Sequence, residues 1–378
     1  MIYLDNAATT FPKPLCVSEE ISKCIKKYCG NPGRSSHNLS IKSAEKIYET
    51  RSLLAELFNA NPENVVFTYN TTYALNIAIK SMIKYSGHVL ISDIEHNSVI
   101  RPIQELANQR LCTYETFSTN GSNEEIIKDI NNKIKSNTFL LVCTHISNVG
   151  SRRLPIKEIG ALCKTNEISF IVDGAQSAGI LDIDVKNMNI DALCIPSHKG
   201  LYGPQGSGAV IFNTDKIYRN VIEGGTGINS LELNMPDFLP EKFEAGTMST
   251  PVIAAWGEAL KWLKAIEVSK IRRYEEDLYD LCKSLLKTNK NITLYEMNEY
   301  SGNTLMFNVN NCSPSKVASC LNDRDIAVRS GFHCSPLAHK QLNTGKNGAV
   351  RVSFSVFNTR NEINQFYEAI NEITKGNP

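Results

Sequence analysis

At 378 residues the chain exceeds what one hydrophobic core normally serves, so a large domain with a smaller companion is expected. Its 40 basic and 39 acidic side chains nearly cancel and form no block of like charge, which gives no electrostatic footprint for nucleic acid or an anionic membrane. No stretch approaches the roughly 18 uninterrupted apolar residues of a bilayer span, and the start MIYLDNAATTFPKP has no basic-then-apolar leader pattern, so a cytoplasmic protein is expected.

The eleven cysteines include no CxxC pair and the seven histidines show no ligand spacing, which argues against a disulfide framework or a metal centre. Cys143, Cys163 and Cys194 lie in apolar runs and read as small buried hydrophobes. In chain order, residues 15–29 and 40–59 read as amphipathic helices separated by the turn-rich GNPGRSSHN. VVFTYN (65–70) reads as a short strand. A helical pattern follows, in which Ala74, Ile77, Ala78 and Met82 share a buried face. Thr71 and Thr72 open that helix, either as caps or as phosphate ligands beside free amides and the positive dipole end.

Further strands are expected at 88–93, 138–148, 169–176 and 191–196, with helix or loop between most of them. Short apolar strands joined by crossovers predict an α/β fold with a mainly parallel sheet covered on both faces. His96, Asn148, Asp173, Gln176, His198 and Lys199 fall at the carboxyl ends of these strands, the edge where such sheets bind ligands. A helix at 256–266 leads into shorter strands (TLMFNVN, IAVRSG, VRVSFS) and a final helix at 359–373. The expected division is an N-terminal segment, 1–14, packing with the small domain; a large domain, 15–255; and a smaller α+β domain, 256–378, with the reaction site in the cleft between lobes.

Two side chains carry the chemistry. Lys199 follows a buried-strand pattern and precedes the glycine-rich turn GLYGPQGSG, so it is either a solvated loop lysine or an amine positioned to form a Schiff base with an aldehyde cofactor. Asp173 ends the apolar run FIV, where an unpaired carboxylate is costly. It is either the capping residue of a DG turn or the partner of a protonated pyridine nitrogen.

The motifs LDNAATTFPKP, RSSHNLS, TTYALN, EHNSVIRP, THISNVG, VDGAQ, SHKGLYGPQGSG, FEAGT, RSGFHCSPL and RVSFSVFNT, in this order and spacing, resemble the class V aminotransferase family of pyridoxal-phosphate enzymes. Within that family they are most similar to cysteine desulfurases with a short cysteine loop. The resemblance implies the fold-type I, aspartate aminotransferase-like architecture and a homodimer with active sites at the subunit interface. It also implies roles for individual residues. Lys199 would hold the cofactor covalently and move the substrate's α-proton, Asp173 would pair with the pyridine nitrogen, Gln176 would bond the phenolic oxygen, and His96 would stack on the ring.

The phosphate would rest on Thr71, Thr72 and His198, with Ser197 a weaker candidate and Thr247 supplied across the interface. Arg351 would clamp the substrate carboxylate, assisted by Asn148, with His37 in a pocket-lining loop. Cys334 would accept sulfur from L-cysteine as a persulfide, leaving alanine, for delivery to a sulfur-acceptor protein in iron-sulfur or thio-cofactor synthesis. A selenocysteine lyase, an aminotransferase or epimerase that ignores Cys334, and an inactive scaffold are the competing readings. Many relatives have a serine where this chain has Pro196 and a second histidine where it has Phe332. His339 reads as a surface residue, and Arg152 and Arg153 either as a solvated basic pair or as a contact for an acidic partner.

Overall fold

The computed structural model describes residues 1–33, 36–297 and 303–376, so Arg34 and Ser35 of the RSSHNLS motif lie outside the described residues. Strand β1 (Ile2–Tyr3) is followed by β2 (Val65–Thr68), β3 (Gly87–Ser92), β4 (Cys112–Phe117), β5 (Thr138–Thr144), β6 (Ser169–Asp173), β7 (Ala192–Pro196) and β8 (Gly208–Phe212). All but β1 form one sheet in the order β2-β8-β7-β6-β5-β3-β4. The ladders from β7 to β4 are parallel, and β8 alone runs against both its neighbours.

Alternation explains why these short runs are apolar throughout. Leu90, Leu141, Phe170, Leu193 and Ile211 point into one apolar layer, while Val89, Leu140, Ile171, Ala192 and Val210, one residue away on the same strands, point into the other. With helices over both faces, neither side can be polar. The helix Thr71–Met82 buries Ala74, Ile77, Ala78 and Met82, the face its periodicity predicts, and Cys143, Cys163 and Cys194 are buried and free.

Two differences from the sequence expectation have plain physical causes. Strand β4 was unexpected because it is an edge strand: only Cys112 and Phe117 are buried, and the polar residues between them leave no apolar run to read. The helix expected from residue 256 begins at Thr250, since Pro251 fits a first turn whose N–H has no intrahelical acceptor. Trp256, fully buried, packs edge-to-face on Phe67 beneath the sheet.

Beyond the helix Val268–Lys287, strands β9 (Ile292–Tyr295), β10 (Thr304–Val309), β12 (Arg329–Gly331) and β13 (Ala349–Ser353) form an antiparallel sheet in the order β12-β13-β10-β9. Strand β11 (Ile326–Ala327) pairs in parallel with β1. Leu4 joins the third apolar cluster with Phe307, Val352 and Phe366, so the N-terminal segment is anchored there before it crosses to the large sheet.

A buried carboxyl also links the two sheets. Glu275 accepts from Tyr202 Oη at 2.8 Å and from Asn303 Nδ2 at 3.0 Å, and Tyr202 lies three residues after Lys199. Burial pushes the Glu275 carboxyl up to about 7. A carboxyl raised on folding holds its proton better in the native state, so its contribution to stability is complete below the usual carboxylate range and is lost as pH rises towards 7. The melting temperature of Glu275→Gln is therefore expected to fall less than the parent's between about pH 5 and about pH 8. Equal falls in thermal melts at the two pH values would contradict this.

Candidate active site

A cavity of about 320 Å³ opens at the carboxyl edge of the large sheet. Each strand delivers a piece of its wall. Asn70, Thr71 and Thr72 follow β2; His96 and Ser98 follow β3; Ile146 and Asn148 follow β5. Asp173 and Gln176 come from the end of β6, and His198 and Lys199 from the end of β7. The structure thus brings together eight of the residues predicted from sequence.

Lys199 leaves β7 on a tightly braced turn. Tyr202, in the left-handed region at φ 54°, donates its N–H to Lys199 O at 2.8 Å, and Gly203 N–H reaches Ser197 O at 2.8 Å. Gly200 is required at its position because a Cβ there would lie 2.5 Å from Ala178 O. From outside, the N-terminal segment converges on a single acceptor, the His198 carbonyl. Thr10 N–H (3.0 Å), Thr9 Oγ1 (3.1 Å), Thr10 Oγ1 (3.2 Å) and Lys13 Nζ (2.8 Å) all reach it.

Electrostatics follow from burial. Desolvation pushes the Lys199 amine down to about 8, with Asp173 opposing the shift and Arg351 and Arg329 adding to it. Burial raises the Asp173 carboxyl, which takes one N–H bond, from Ala175 at 2.9 Å, and has no ion-pair partner among the described residues. The His96 ring is held down to about 4 by burial and then by Lys199. Its Nδ1 caps the helix Asn97–Asn108 by accepting Ser98 N–H at 3.1 Å, so the neutral ring carries its proton on Nε2. His198 is pushed down to about 3, again chiefly by burial, and its Nδ1 is buried with no hydrogen-bond partner among the described residues.

Asn70 caps the helix that starts at Thr71, so the first-turn amides of Thr71 and Thr72 stand free at its positive end. Thr72 Oγ1 lies 2.8 Å from Ser98 Oγ. Arg351, 1% exposed on β13, donates through Nη2 to Asp5 Oδ1 at 2.8 Å and through Nη1 to Asn148 O at 3.3 Å, while its buried Nε has no partner. Asn148 in turn donates to His333 O at 2.9 Å and accepts from Ser335 Oγ at 2.7 Å. Asn97 N–H, next to His96, donates to Cys334 O at 2.8 Å. These bonds hold the loop of the exposed Cys334 against the helix that bears His96.

The structure corrects the expectations for Ser197, His339 and Arg152 and places Gln176, Thr247 and His37. Ser197 is fully buried and turned away from the cavity, its hydroxyl donating to Pro204 O and Ser207 O. Gln176 lines the cavity, but its amide nitrogen donates to Ala7 O at 3.0 Å. His339 is 2% exposed and lies within the fold beside His333, and Arg152 is 1% exposed and donates to Gly121 O at 2.9 Å. Thr247 lines a second cavity with Arg51 and Glu244, and His37 caps the helix Asn38–Phe58, so within one chain neither reaches Lys199.

Sequence reasoning missed Asp5, Lys13 and Glu95. Asp5 and Lys13 lie in the quoted motif LDNAATTFPKP, but their partners are 346 and 185 residues away, which no local pattern reveals. Glu95 is fully buried at the end of β3 and accepts Thr144 N–H at 2.8 Å; its carboxyl is pushed up to about 8 by burial.

The family model for class-V aminotransferases matches residues 2–366. A probable cysteine desulfurase of Pyrococcus abyssi is 31% identical, covering 99% of this chain and 94% of that protein. A probable cysteine desulfurase of Methanothermobacter thermautotrophicus is also 31% identical, over 98% and 94%. The apo structure of a cysteine desulfurase from Thermococcus onnurineus superposes with a TM-score of 0.89 at 29% identity, over 99% of this chain and 95% of that one. An Escherichia coli cysteine desulfurase, 22% identical over 98% and 94%, shares the fold at a TM-score of 0.88.

The lowered Lys199 amine yields a direct test. At about pH 8, dilute acetic anhydride is expected to acylate Lys199 well ahead of surface lysines, whose amines titrate near 10.4. Peptide mapping that finds Lys199 labelled at the surface rate or slower would contradict the electrostatic account.

Proposed function

This chain belongs to the class-V aminotransferase family, and from that premise we propose that it is a pyridoxal-phosphate-dependent cysteine desulfurase that moves sulfur from L-cysteine to Cys334. The observation that carries the reading is the meeting, in one cavity, of a depressed buried amine with a carboxylate that lacks a cation. The cavity fits the cofactor on its own chemistry. Asp173 needs a positive partner, which a protonated pyridine nitrogen provides. The unpartnered His198 Nδ1, the free amides at Thr71 and the Thr72 hydroxyl suit the phosphate. When bound, pyridoxal phosphate supplies an electron sink that stabilises negative charge developing beside the substrate's α-carbon.

The protein's own groups account for the rest. The Lys199 amine, neutral often enough near pH 8 to act as nucleophile and base, would hold the cofactor and would carry the substrate's α-proton. Asp173 would favour a proton on the ring nitrogen by its negative charge. His96 offers its ring face, and Gln176 its amide, from the cavity wall. Arg351 presents a buried Nε without an acceptor to the substrate carboxylate, while Asp5 fixes the guanidinium from its other edge. The Cys334 thiolate attacks the substrate sulfur. The carbon-sulfur bond breaks, a sulfur-sulfur bond forms, and cysteine plus thiol becomes alanine plus persulfide with no outside oxidant.

A homodimer completes the reading. Leu231 and Leu233 are fully exposed, Phe238 is half-exposed, and Tyr69 and Tyr73, either side of Thr71 in the chain, are exposed as well. A second copy covering these apolar side chains would explain their exposure and would carry its own Thr247 towards the phosphate.

Alanine and sulfide released from L-cysteine with a reductant present are expected in equal amounts. Lys199→Ala is expected to abolish release and the cofactor's near-visible absorbance band. Cys334→Ala is expected to cut turnover at least about a hundredfold while keeping that band. Full cysteine turnover by Cys334→Ala would exclude the persulfide route, and a strong preference for selenocysteine would reassign the substrate. Leu233→Asp is expected to shift the protein from dimer to monomer in sedimentation; a parent already monomeric would remove the dimer from the account.

A further inference from the structure

Cys334 lies beside a chain of hydrogen bonds that the proposed chemistry does not use. Thr344 Oγ1 is 2.8 Å from His339 Nδ1, His339 Nε2 is 3.0 Å from His333 Nδ1, and His333 Nε2 is 3.4 Å from the Arg329 carbonyl. Thr344, His339 and His333 are all buried, and the two imidazoles lie side by side with their planes 10° apart, the geometry of an in-plane N–H···N bond. The polarity of the chain follows from its last member. A carbonyl can only accept, so His333 Nε2 carries a proton; the neutral ring then accepts at Nδ1 from His339 Nε2–H, and His339 accepts at Nδ1 from the Thr344 hydroxyl. Every donor then meets an acceptor with both rings uncharged. Burial, followed by Arg351, holds both imidazoles well below their usual range, in keeping with that assignment.

This arrangement removes His333 as a base for Cys334, because both its ring nitrogens are engaged inside the fold. It leaves a different task. His333 and Cys334 are consecutive non-glycine residues at φ 50° and 58°, a left-handed pair that persists only where its surroundings over-determine it. Backbone restraints come from Asn148 Nδ2 on His333 O and Asn97 N–H on Cys334 O. The side-chain restraint is the buried chain. Phe332, 43% exposed, sets its ring edge-on to His339 at 5.3 Å and covers the chain from solvent.

We propose that Thr344 and His339 are positioning residues for sulfur transfer, acting through His333 to hold the Cys334 thiol at the mouth of the cavity. The proposal rests on the reading of Cys334 as the sulfur acceptor. Neither residue touches the substrate.

Thr344→Val removes the hydroxyl donor at nearly constant volume, and Thr344→Ser restores it; His339→Ala and His339→Gln form a second pair, the glutamine keeping a donor towards His333. On the cofactor-loaded enzyme, valine and alanine variants are expected to lower kcat for cysteine about tenfold to a hundredfold with KM nearly unchanged, the range for a misplaced reacting group. Serine is expected to recover most of kcat. Exchange of the α-hydrogen of alanine with deuterated solvent, which needs no thiol, is expected to stay at the parental rate. Alkylation of Cys334 by iodoacetamide, followed by peptide mapping, is expected to change rate in the valine variant and return in the serine variant.

Parental kcat in Thr344→Val, a parallel loss of turnover and exchange, or an unchanged alkylation rate would each overturn the proposal. If His339→Ala does not fold, the threonine pair carries the test alone. A parent that makes no alanine from cysteine would instead sink the acceptor reading, while the alkylation comparison would still report on the loop.

Discussion

The structure depends on bringing an amine and a carboxylate into one cavity without letting either find a partner of its own. Asp173 and Lys199 leave adjacent parallel strands, β6 and β7, whose register pairs Asp173 with Cys194. Each feels the other's charge, and each is shifted mainly by burial. An uncompensated buried charge is among the most destabilising features a fold can carry. The surroundings therefore have to be rigid: four donors converge on the His198 carbonyl, Gly200 packs backbone on backbone, and Tyr202 reaches across to Glu275.

The same logic extends to the second lobe. Arg351 is taken out of water on β13, where its register partner across the strand pair is another arginine, Arg329. Asp5 is the countercharge that makes this tolerable, and it arrives from the N-terminal segment, whose Leu4 is already embedded in that lobe's core. One segment thus neutralises the arginine pocket at Asp5 and braces the lysine loop at Thr9, Thr10 and Lys13. Removing one partner of such a buried pair typically costs about 3–5 kcal/mol.

What the sequence made legible was set by periodicity and by strand ends. The strand segments read at 88–93, 138–148, 169–176 and 191–196 identified the sheet, and the polar residues at their ends identified its reactive edge, because chain direction in a parallel sheet puts those ends together. Strand β4 was hidden because an edge strand has no need of an apolar run. Asp5, Lys13 and the two histidines of the cysteine loop were illegible for another reason: their roles depend on partners far away in the chain or on burial that a polar loop does not advertise. His339 looks like a surface residue until Phe332 is seen lying over it. Ser197 shows the converse, a hydroxyl beside the key lysine that the turn turns inward.

The account's central claim is that sulfur leaves cysteine by transfer to one thiol, directed by groups placed around it. It is tested most directly by one turnover of the loaded enzyme with a single equivalent of L-cysteine, quenched with an alkylating agent and mapped by mass spectrometry. One alanine per active site is expected, together with one added sulfur atom on the Cys334 peptide and on no other cysteine. Alanine formed in that amount with Cys334 still a plain thiol would contradict it.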